Sequence, residues 1–127
     1  MNAAVDRLLA EARRHLDRVV PEDLQKECHA GALVVDIRPE SNRRDEGDLP
    51  GSVVIERNVL EWRLDPTSPD RIEQADRPDL RIILVCNEGY ASSLAAESLR
   101  RMGLLRATDL DGGYRAWRSR QGLHHGQ

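Results

Sequence analysis

Phenylalanine is absent from this chain of 127 residues, and aromatic side chains make up only 3% of it. A buried core must therefore consist mainly of leucine, isoleucine, valine and alanine, and we expect Trp62 and Trp117 to pack into it. No apolar run approaches the roughly 20 residues that cross a membrane, and the N-terminus lacks the unbroken apolar segment of a secretion signal. The sequence therefore predicts a cytoplasmic protein without a membrane partner.

Cysteine is scarce as well, and Cys28 and Cys86 lie far apart along the chain. The four histidines are scattered without the spacing of metal ligands. The sequence therefore predicts neither a disulfide framework nor a zinc site, and it gives no indication of a metal or cofactor.

Lysine occurs only once, as Lys26, so arginine supplies almost all of the basic charge. The net charge is -3, and residues of both signs are interspersed along the chain. Such a chain lacks the positive field by which nucleic-acid-binding proteins attract their targets. We therefore predict no nucleic-acid partner.

The N-terminal 20 residues carry apolar side chains at helical spacing, which predicts an amphipathic helix over residues 1–20. Pro21 can open a second helix, which Gly31 ends. Cys28 follows Leu24 by four residues, on the same face of that helix, and is therefore expected in the core.

Short apolar runs further along the chain predict the strands of a parallel sheet, at residues 32–38, 51–56, 81–86 and 107–113. Residues 65–80 contain several prolines and aspartates, which predicts a loop with one helical turn around Ile72. Helices are expected over residues 92–103, where Leu94, Ala95, Leu99 and Met102 can face the sheet, and over residues 114–121. This alternation of strands and helices predicts a single α/β domain.

Cys86 ends the most apolar of these strands, just before a loop that leads into a helix. In an open parallel sheet, ligands bind beyond the carboxyl ends of the strands. Helix N-termini and tight glycine loops present unpaired N–H groups that stabilise an anion. We therefore expect Cys86 to act as a nucleophilic thiolate without a general base. The candidate site residues around it are Asn87, Glu88, Gly89, Tyr90, Ala91 and Ser92.

Four segments together resemble the single-domain rhodanese sulfurtransferases: LVVDIRPE, EGDLPGSVVI, CNEGYASSLAAESLRRMG and DLDGGYRAWRSRQGL. They cover roughly residues 21–123 in the order of that family, which is more specific than one motif. The resemblance implies a rhodanese-like domain, with a central, mostly parallel β-sheet flanked by helices on both faces. The helix over residues 1–20 is then an N-terminal addition to the core, and residues 124–127 are a tail.

The same resemblance implies a sulfurtransferase that works through a persulfide on Cys86. Sulfane sulfur would pass from a small donor, thiosulfate or another persulfide, to an acceptor that is a low-molecular-weight thiol, a protein thiol or cyanide. Both states of the cysteine are anions, so one loop can stabilise each half of the cycle.

The loop departs from many relatives because it contains an acid, Glu88, and no cation. Thiosulfate is a dianion, so we expect it to bind weakly. Asp48 also stands where the family has a histidine before its Pro-Gly turn. Support for the substrate is therefore expected from arginines outside the loop, and the candidates are Arg38, Arg57 and Arg63.

Two alternatives to a thiosulfate enzyme remain open, a sulfur carrier that serves other thiols and a rhodanese-like module that binds a partner protein. A cysteine phosphatase is disfavoured because Ser92 stands where the C-x5-R loop has its phosphate-binding arginine. The helix position of Ser92 and Ser93 predicts that they cap its N-terminus. Asp36 and Arg38 are expected to form a structural ion pair.

Overall fold

Four parallel strands form the centre of the fold in the computed structural model, which describes residues 3–125 and the side chains through residue 121. They are β1 (Leu33–Asp36), β2 (Val53–Val54), β3 (Ile82–Val85) and β4 (Ala107–Asp109), and they lie in the order β2-β1-β3-β4. In the register of the sheet, Leu33 pairs with Ile82, which pairs in turn with Ala107. The predicted parallel sheet is confirmed, although each strand is shorter than its apolar run.

The helices lie on both faces of the sheet. They are α1 (Ala4–Arg13), α2 (Leu24–His29), α3 (Glu40–Glu46), α4 (Leu60–Leu64), α5 (Ala91–Arg101) and α6 (Gly113–His125). Short 3₁₀ turns at Pro21–Asp23 and Arg57–Val59 lead into α2 and α4. The sequence prediction missed α3 and α4, because both are short and α3 has no buried residue.

Alternate residues of the strands point to opposite faces and so build two cores. Ile82 and Leu84 pack with side chains of α4 and α5 on one face. Ile83 and Val85 pack with Leu24 of α2 and with Tyr114 of α6 on the other. The predicted arrangement of a sheet between two helical layers is therefore confirmed.

The N-terminal helix is shorter than predicted and ends at Arg13. Val19, expected on the same helix, is extended and bridges in parallel to Leu110. Its N–H donates to the Asp109 carbonyl at 3.0 Å, and its carbonyl accepts from the Asp111 N–H at 2.8 Å. Because β4 is an edge strand, pairing with its free side competes with helix propagation in this segment.

Several residues predicted in the core are exposed. Cys28 lies in the last turn of α2, whereas the helix contacts the core through Leu24 in its first turn. Trp62 is 59% exposed because Leu60 and Leu64 occupy the buried face of α4. Met102 follows the last residue of α5 and is also exposed.

Other local predictions have mixed outcomes. Trp117 is half-buried, as expected, and its ring lies 5.7 Å from that of Tyr114. Ile72 is buried but is not part of a helical turn. The backbone of α6 continues through His124 and His125, which the sequence assigned to a tail, while residues 126 and 127 lie outside the described residues.

No helix within residues 3–125 has the length and apolar character needed to cross a bilayer. Across the same part of the chain, no three histidine, cysteine or acidic side chains come together as a metal site would require.

Candidate active site

Cys86 follows the last residue of β3, at the carboxyl end of a strand that is paired on both sides. A loop of four residues separates it from Ala91, the first residue of α5. The cysteine is 8% exposed and is not part of a disulfide. The thiol therefore lies at the edge of the core, where a small molecule can reach it.

Two backbone amides point at the sulfur. The N–H of Gly89 lies 3.1 Å from Cys86 Sγ, and that of Ser92 lies 3.3 Å from it. Gly89 has φ of 89°, a conformation that favours glycine and that turns the loop back over the cysteine. Amide donors aimed at one sulfur stabilise its anionic form.

A hydroxyl completes the surroundings of the sulfur. The Cys86 thiol donates to Ser92 Oγ at 3.2 Å, and Ser92 Oγ donates to Asp109 Oδ2 at 2.7 Å. Ser93 Oγ donates to the same carboxylate oxygen at 2.7 Å. The prediction that these serines cap α5 is wrong, because Tyr90 is the N-cap and no side chain caps the helix.

Asp109 is fully buried at the end of β4, and an arginine compensates its charge. Arg18 donates through Nε to Asp109 Oδ1 at 2.8 Å and through Nη2 to Oδ2 at 3.2 Å. Partial burial of the guanidinium lowers the Arg18 pKa, but the hydrogen bond and charge of Asp109 outweigh this, and the pKa is raised. The Arg18 guanidinium therefore stays charged at any ordinary pH.

Arg18 also binds the loop, together with a second arginine. Arg18 Nη2 donates to the Gly89 carbonyl at 2.9 Å, and Arg13 Nη2 donates to the same oxygen at 2.7 Å. Arg13 Nε donates to Ser93 Oγ at 3.0 Å. Neither arginine could be picked out from the sequence, because both lie between the apolar positions of the amphipathic helix predicted over residues 1–20, where a solvated side chain is expected.

A cavity of about 380 Å³ opens beside the cysteine. Its walls come from the segment after β1, from the start of the turn before α4 and from the cysteine loop. The residues are Ile37, Arg38, Pro39, Arg57, Cys86, Asn87, Glu88, Tyr90 and Ala91. The structure thus brings together most of the residues singled out in the sequence.

The three candidate arginines differ in position. Arg38 is buried and holds Asp36 at 2.8 Å, as predicted, and its guanidinium lies 3.8 Å from the centre of the Tyr114 ring. Arg57 lines the cavity, and its guanidinium binds Glu61 at 2.9 Å. Arg63, the third candidate, donates to the Asp70 carbonyl and is not among the residues that line the cavity.

Glu46 of α3 holds the outer side of the loop. Its carboxylate accepts from Asn87 Nδ2 at 2.9 Å and from Arg115 Nε at 3.0 Å. The Arg115 and Asn87 hydrogen bonds lower the pKa of Glu46 to about 2. Glu88 is exposed and lies 3.6 Å from Arg115, and Tyr90 is 60% exposed.

The first turn of α6 donates backbone hydrogen bonds to Cys86 and to the loop that follows it. The N–H of Tyr114 donates to the Cys86 carbonyl at 2.8 Å, and that of Arg115 donates to the Asn87 carbonyl at 3.0 Å. A Cβ at Gly113 would lie 2.5 Å from the Cys86 carbonyl oxygen and 2.7 Å from the Gly89 nitrogen. Only glycine permits this close approach of helix and loop.

This loop lies between a parallel strand and a helix and presents backbone amides to a cysteine sulfur, an arrangement that can stabilise an anion. Residues 20–120 match the family model of the rhodanese-like domain. The chain belongs to the rhodanese-like domain family, in agreement with the resemblance found in its sequence.

The chain is also similar to individual proteins of known sequence or structure. The chain is 34% identical to the thiosulfate sulfurtransferase GlpE of Stutzerimonas stutzeri over 80% of its own length and 84% of that protein. A structure from Rhodopseudomonas palustris, described as a protein of unknown function and possible tyrosine phosphatase, has a TM-score of 0.83 and 29% identity, and the match covers 95% of this chain and 93% of that one. A rhodanese homologue from Thermus thermophilus has a TM-score of 0.55 and 27% identity over 77% of this chain and 96% of its own.

Proposed function

We propose that this protein is a sulfurtransferase that carries sulfane sulfur on Cys86. The observation that carries the proposal is the convergence of the Gly89 and Ser92 amides on Cys86 Sγ, beside an open cavity. The relatives named thiosulfate sulfurtransferase support the same chemistry.

In the first half of the reaction, the Cys86 thiolate attacks the outer sulfur of the donor. With thiosulfate, the S–S bond of the donor breaks, sulfite leaves with the bonding electron pair, and the cysteine becomes a persulfide. In the second half, an acceptor thiolate or cyanide attacks the terminal sulfur, and the electron pair of the S–S bond returns to Cys86. The amides that stabilise the thiolate also reach toward the persulfide anion, so they serve both halves.

The charge around the cavity distinguishes between donors. Glu88 lies at the cavity wall and disfavours a dianion, while Arg57 lies at the same wall with part of its charge compensated by Glu61. Tyr90 presents an exposed ring at the rim. We infer that a persulfide on a small molecule or a protein is a better donor than thiosulfate, which makes sulfur carriage between thiols the second candidate function.

Mass spectrometry of the intact protein tests the proposal. After incubation with thiosulfate or a persulfide, we expect the mass to rise by one sulfur atom and to return on treatment with cyanide. Cys86→Ser should take up no sulfur, whereas Cys28→Ser should behave as the wild type. No sulfur on Cys86 with any donor would overturn the proposal and favour a binding module.

A phosphatase assay tests the alternative reaction, hydrolysis of a phosphate ester by Cys86. The Ser92 side chain supplies one hydroxyl where a cysteine phosphatase needs the bidentate grip of arginine on phosphate. We therefore expect p-nitrophenyl phosphate to be hydrolysed no faster by the wild type than by Cys86→Ser. Hydrolysis that depends on Cys86 would contradict the assignment as a sulfurtransferase.

A further inference from the structure

The segment that precedes the residues matched by the family model contacts the loop that follows Cys86. The rhodanese-like domain is matched over residues 20–120, whereas Arg13 and Arg18 precede it. We propose that this N-terminal segment completes the active site, and that Arg18 is a positioning residue that offsets the charge of Asp109 and so permits an anion at Cys86. The inference rests on the proposed function only in taking Cys86 as the reacting thiol.

The segment is fixed at both of its ends. α1 packs along α5, the helix whose first turn contributes an amide to the sulfur, and Ala12 of α1 is buried. Val19 is tied to the chain beside Leu110 by two backbone hydrogen bonds. Arg18 is therefore held next to Asp109, and its side chain is only 17% exposed.

The two arginines hold one carbonyl of the cysteine loop. Gly89 donates its N–H to Cys86 Sγ, while its carbonyl accepts from Arg13 at 2.7 Å and from Arg18 at 2.9 Å. These charged donors fix the turn that aims the Gly89 amide at the sulfur. The loop itself contains no cation, so this positive charge comes from outside the family core.

The charge balance gives Arg18 its larger role. A single hydroxyl, that of Ser92, separates the buried Asp109 carboxylate from Cys86 Sγ. A buried negative charge so near opposes a second one on the sulfur, as thiolate or as persulfide. Arg18 binds both oxygens of that carboxylate and removes most of this opposition.

Other charged or titratable groups surround the cysteine without compensating Asp109. Glu46 and Arg115 pair with each other beyond the loop. Asp111 binds the outer nitrogen of Arg18 and is exposed. Arg38, Arg57, Glu88 and Tyr90 line the cavity, Asp36 pairs with Arg38, and Arg13 lies behind Gly89. None of these groups is changed in the variants that test the inference.

Alkylation of Cys86 by iodoacetamide, followed against pH, tests the charge balance without requiring sulfur transfer. The reference protein is Cys28→Ser, so that only one thiol reacts. In that background, Arg18→Met should slow alkylation at pH 7 about tenfold and move the midpoint of the profile up by about one pH unit. Arg18→Lys, which keeps the charge, should recover most of the rate.

Asp109→Asn gives the opposite expectation. It removes the buried partner of Arg18 and leaves the exposed Asp111, so the positive charge near the sulfur is less compensated and the midpoint should move to lower pH. The double variant Arg18→Met/Asp109→Asn should lie close to the reference. If Arg18 and Asp109 had a purely structural role, the midpoint of the alkylation profile would shift in the same direction in both single variants, because both lose the same ion pair.

An unchanged midpoint in folded Arg18→Met, or shifts of the same sign in both single variants, would overturn the inference. Circular dichroism identifies a variant that does not fold, and if Arg18→Met is such a variant, the sign of the shift in Asp109→Asn alone decides. Failure of sulfur transfer in the wild type, with these alkylation shifts intact, would instead count against the proposed function.

Discussion

Ser92 Oγ lies 3.2 Å from Cys86 Sγ, accepts a hydrogen bond from the thiol and donates a hydrogen bond to Asp109 Oδ2. A hydroxyl can rotate, so when the thiol ionises, the same group can donate to the sulfur instead. Asp109 then still accepts from Ser93 and Arg18. Ser92 thus offers a hydrogen bond to each protonation state of the cysteine.

The first prediction concerns this hydroxyl. Ser92→Ala removes a donor to an anionic sulfur, which contributes about 1.5–3 kcal/mol, so kcat/KM for sulfur transfer should fall roughly tenfold or more. Ser93→Ala is the matched control, because Ser93 is equally buried and binds the same carboxylate but does not contact Cys86. Equal losses in the two variants would assign the effect to Asp109 rather than to the sulfur.

The second prediction concerns Glu88. Its carboxylate lines the cavity, but it is exposed and lies 3.6 Å from Arg115, so its repulsion of a donor is partly compensated. Glu88→Lys should raise kcat/KM for thiosulfate several-fold at low salt, with a smaller gain at high salt. A persulfide of lower charge should show a weaker response.

Glu73→Lys provides the control for this charge change, because Glu73 is exposed and is not among the residues that line the cavity. It alters the net charge of the protein by the same amount and should leave thiosulfate turnover nearly unchanged. If both variants accelerate turnover equally, the effect reflects the overall charge of the protein, and Glu88 has no specific role in donor choice.

The sheet could be predicted from the sequence because its strands are continuous apolar runs, such as ILV before Cys86. The position of Cys86 at a strand end followed from that pattern alone. The hydroxyl of Ser92 beside the sulfur and the ion pair of Arg18 could not be predicted in this way. Ser92, Ser93 and Arg18 meet Asp109 only through tertiary packing. At the sequence level, an arginine between apolar residues at helical spacing is typical of a solvated face.

The third prediction concerns pH and stability. Glu46 has an ordinary pKa of 4.5 that is lowered to about 2 in the folded protein by Arg115 and Asn87. A carboxyl with a lowered pKa in the folded state stabilises it above its ordinary pKa, and this contribution is lost as the pH falls toward about 2. The wild type should therefore be more stable than Glu46→Gln at neutral pH, and the difference should shrink on acidification below about pH 5.

Urea unfolding of both proteins at several pH values between neutrality and the acid limit of folding measures this difference. Asp45→Asn is the control, because Asp45 is the neighbouring carboxylate on α3 and is exposed with only a surface contact to Arg44. A difference between wild type and Glu46→Gln that stays constant with pH would show that Glu46 acts through packing and not through its charge.

The last prediction concerns Gly113, where α6 meets the cysteine loop. Its φ is +65°, and an added Cβ would lie 2.5 Å from the Cys86 carbonyl oxygen and 2.8 Å from the Asn87 carbonyl carbon. Gly51 has a similar φ of +78° but open space around the position of a Cβ. The two glycines therefore share the conformational requirement and differ in their surroundings.

Gly51→Ala should cost about 1–2 kcal/mol of stability, the usual penalty for a side chain in the left-handed region, and should leave sulfur transfer intact. Gly113→Ala carries the same penalty and must also push the loop away from α6, because the atoms that it meets are backbone. We expect a larger loss of stability and a marked fall in kcat at temperatures where the variant is folded, measured by urea unfolding and by steady-state kinetics. Similar losses in the two variants would mean that the loop can shift without cost, and that its fit against α6 does not hold the amides on Cys86.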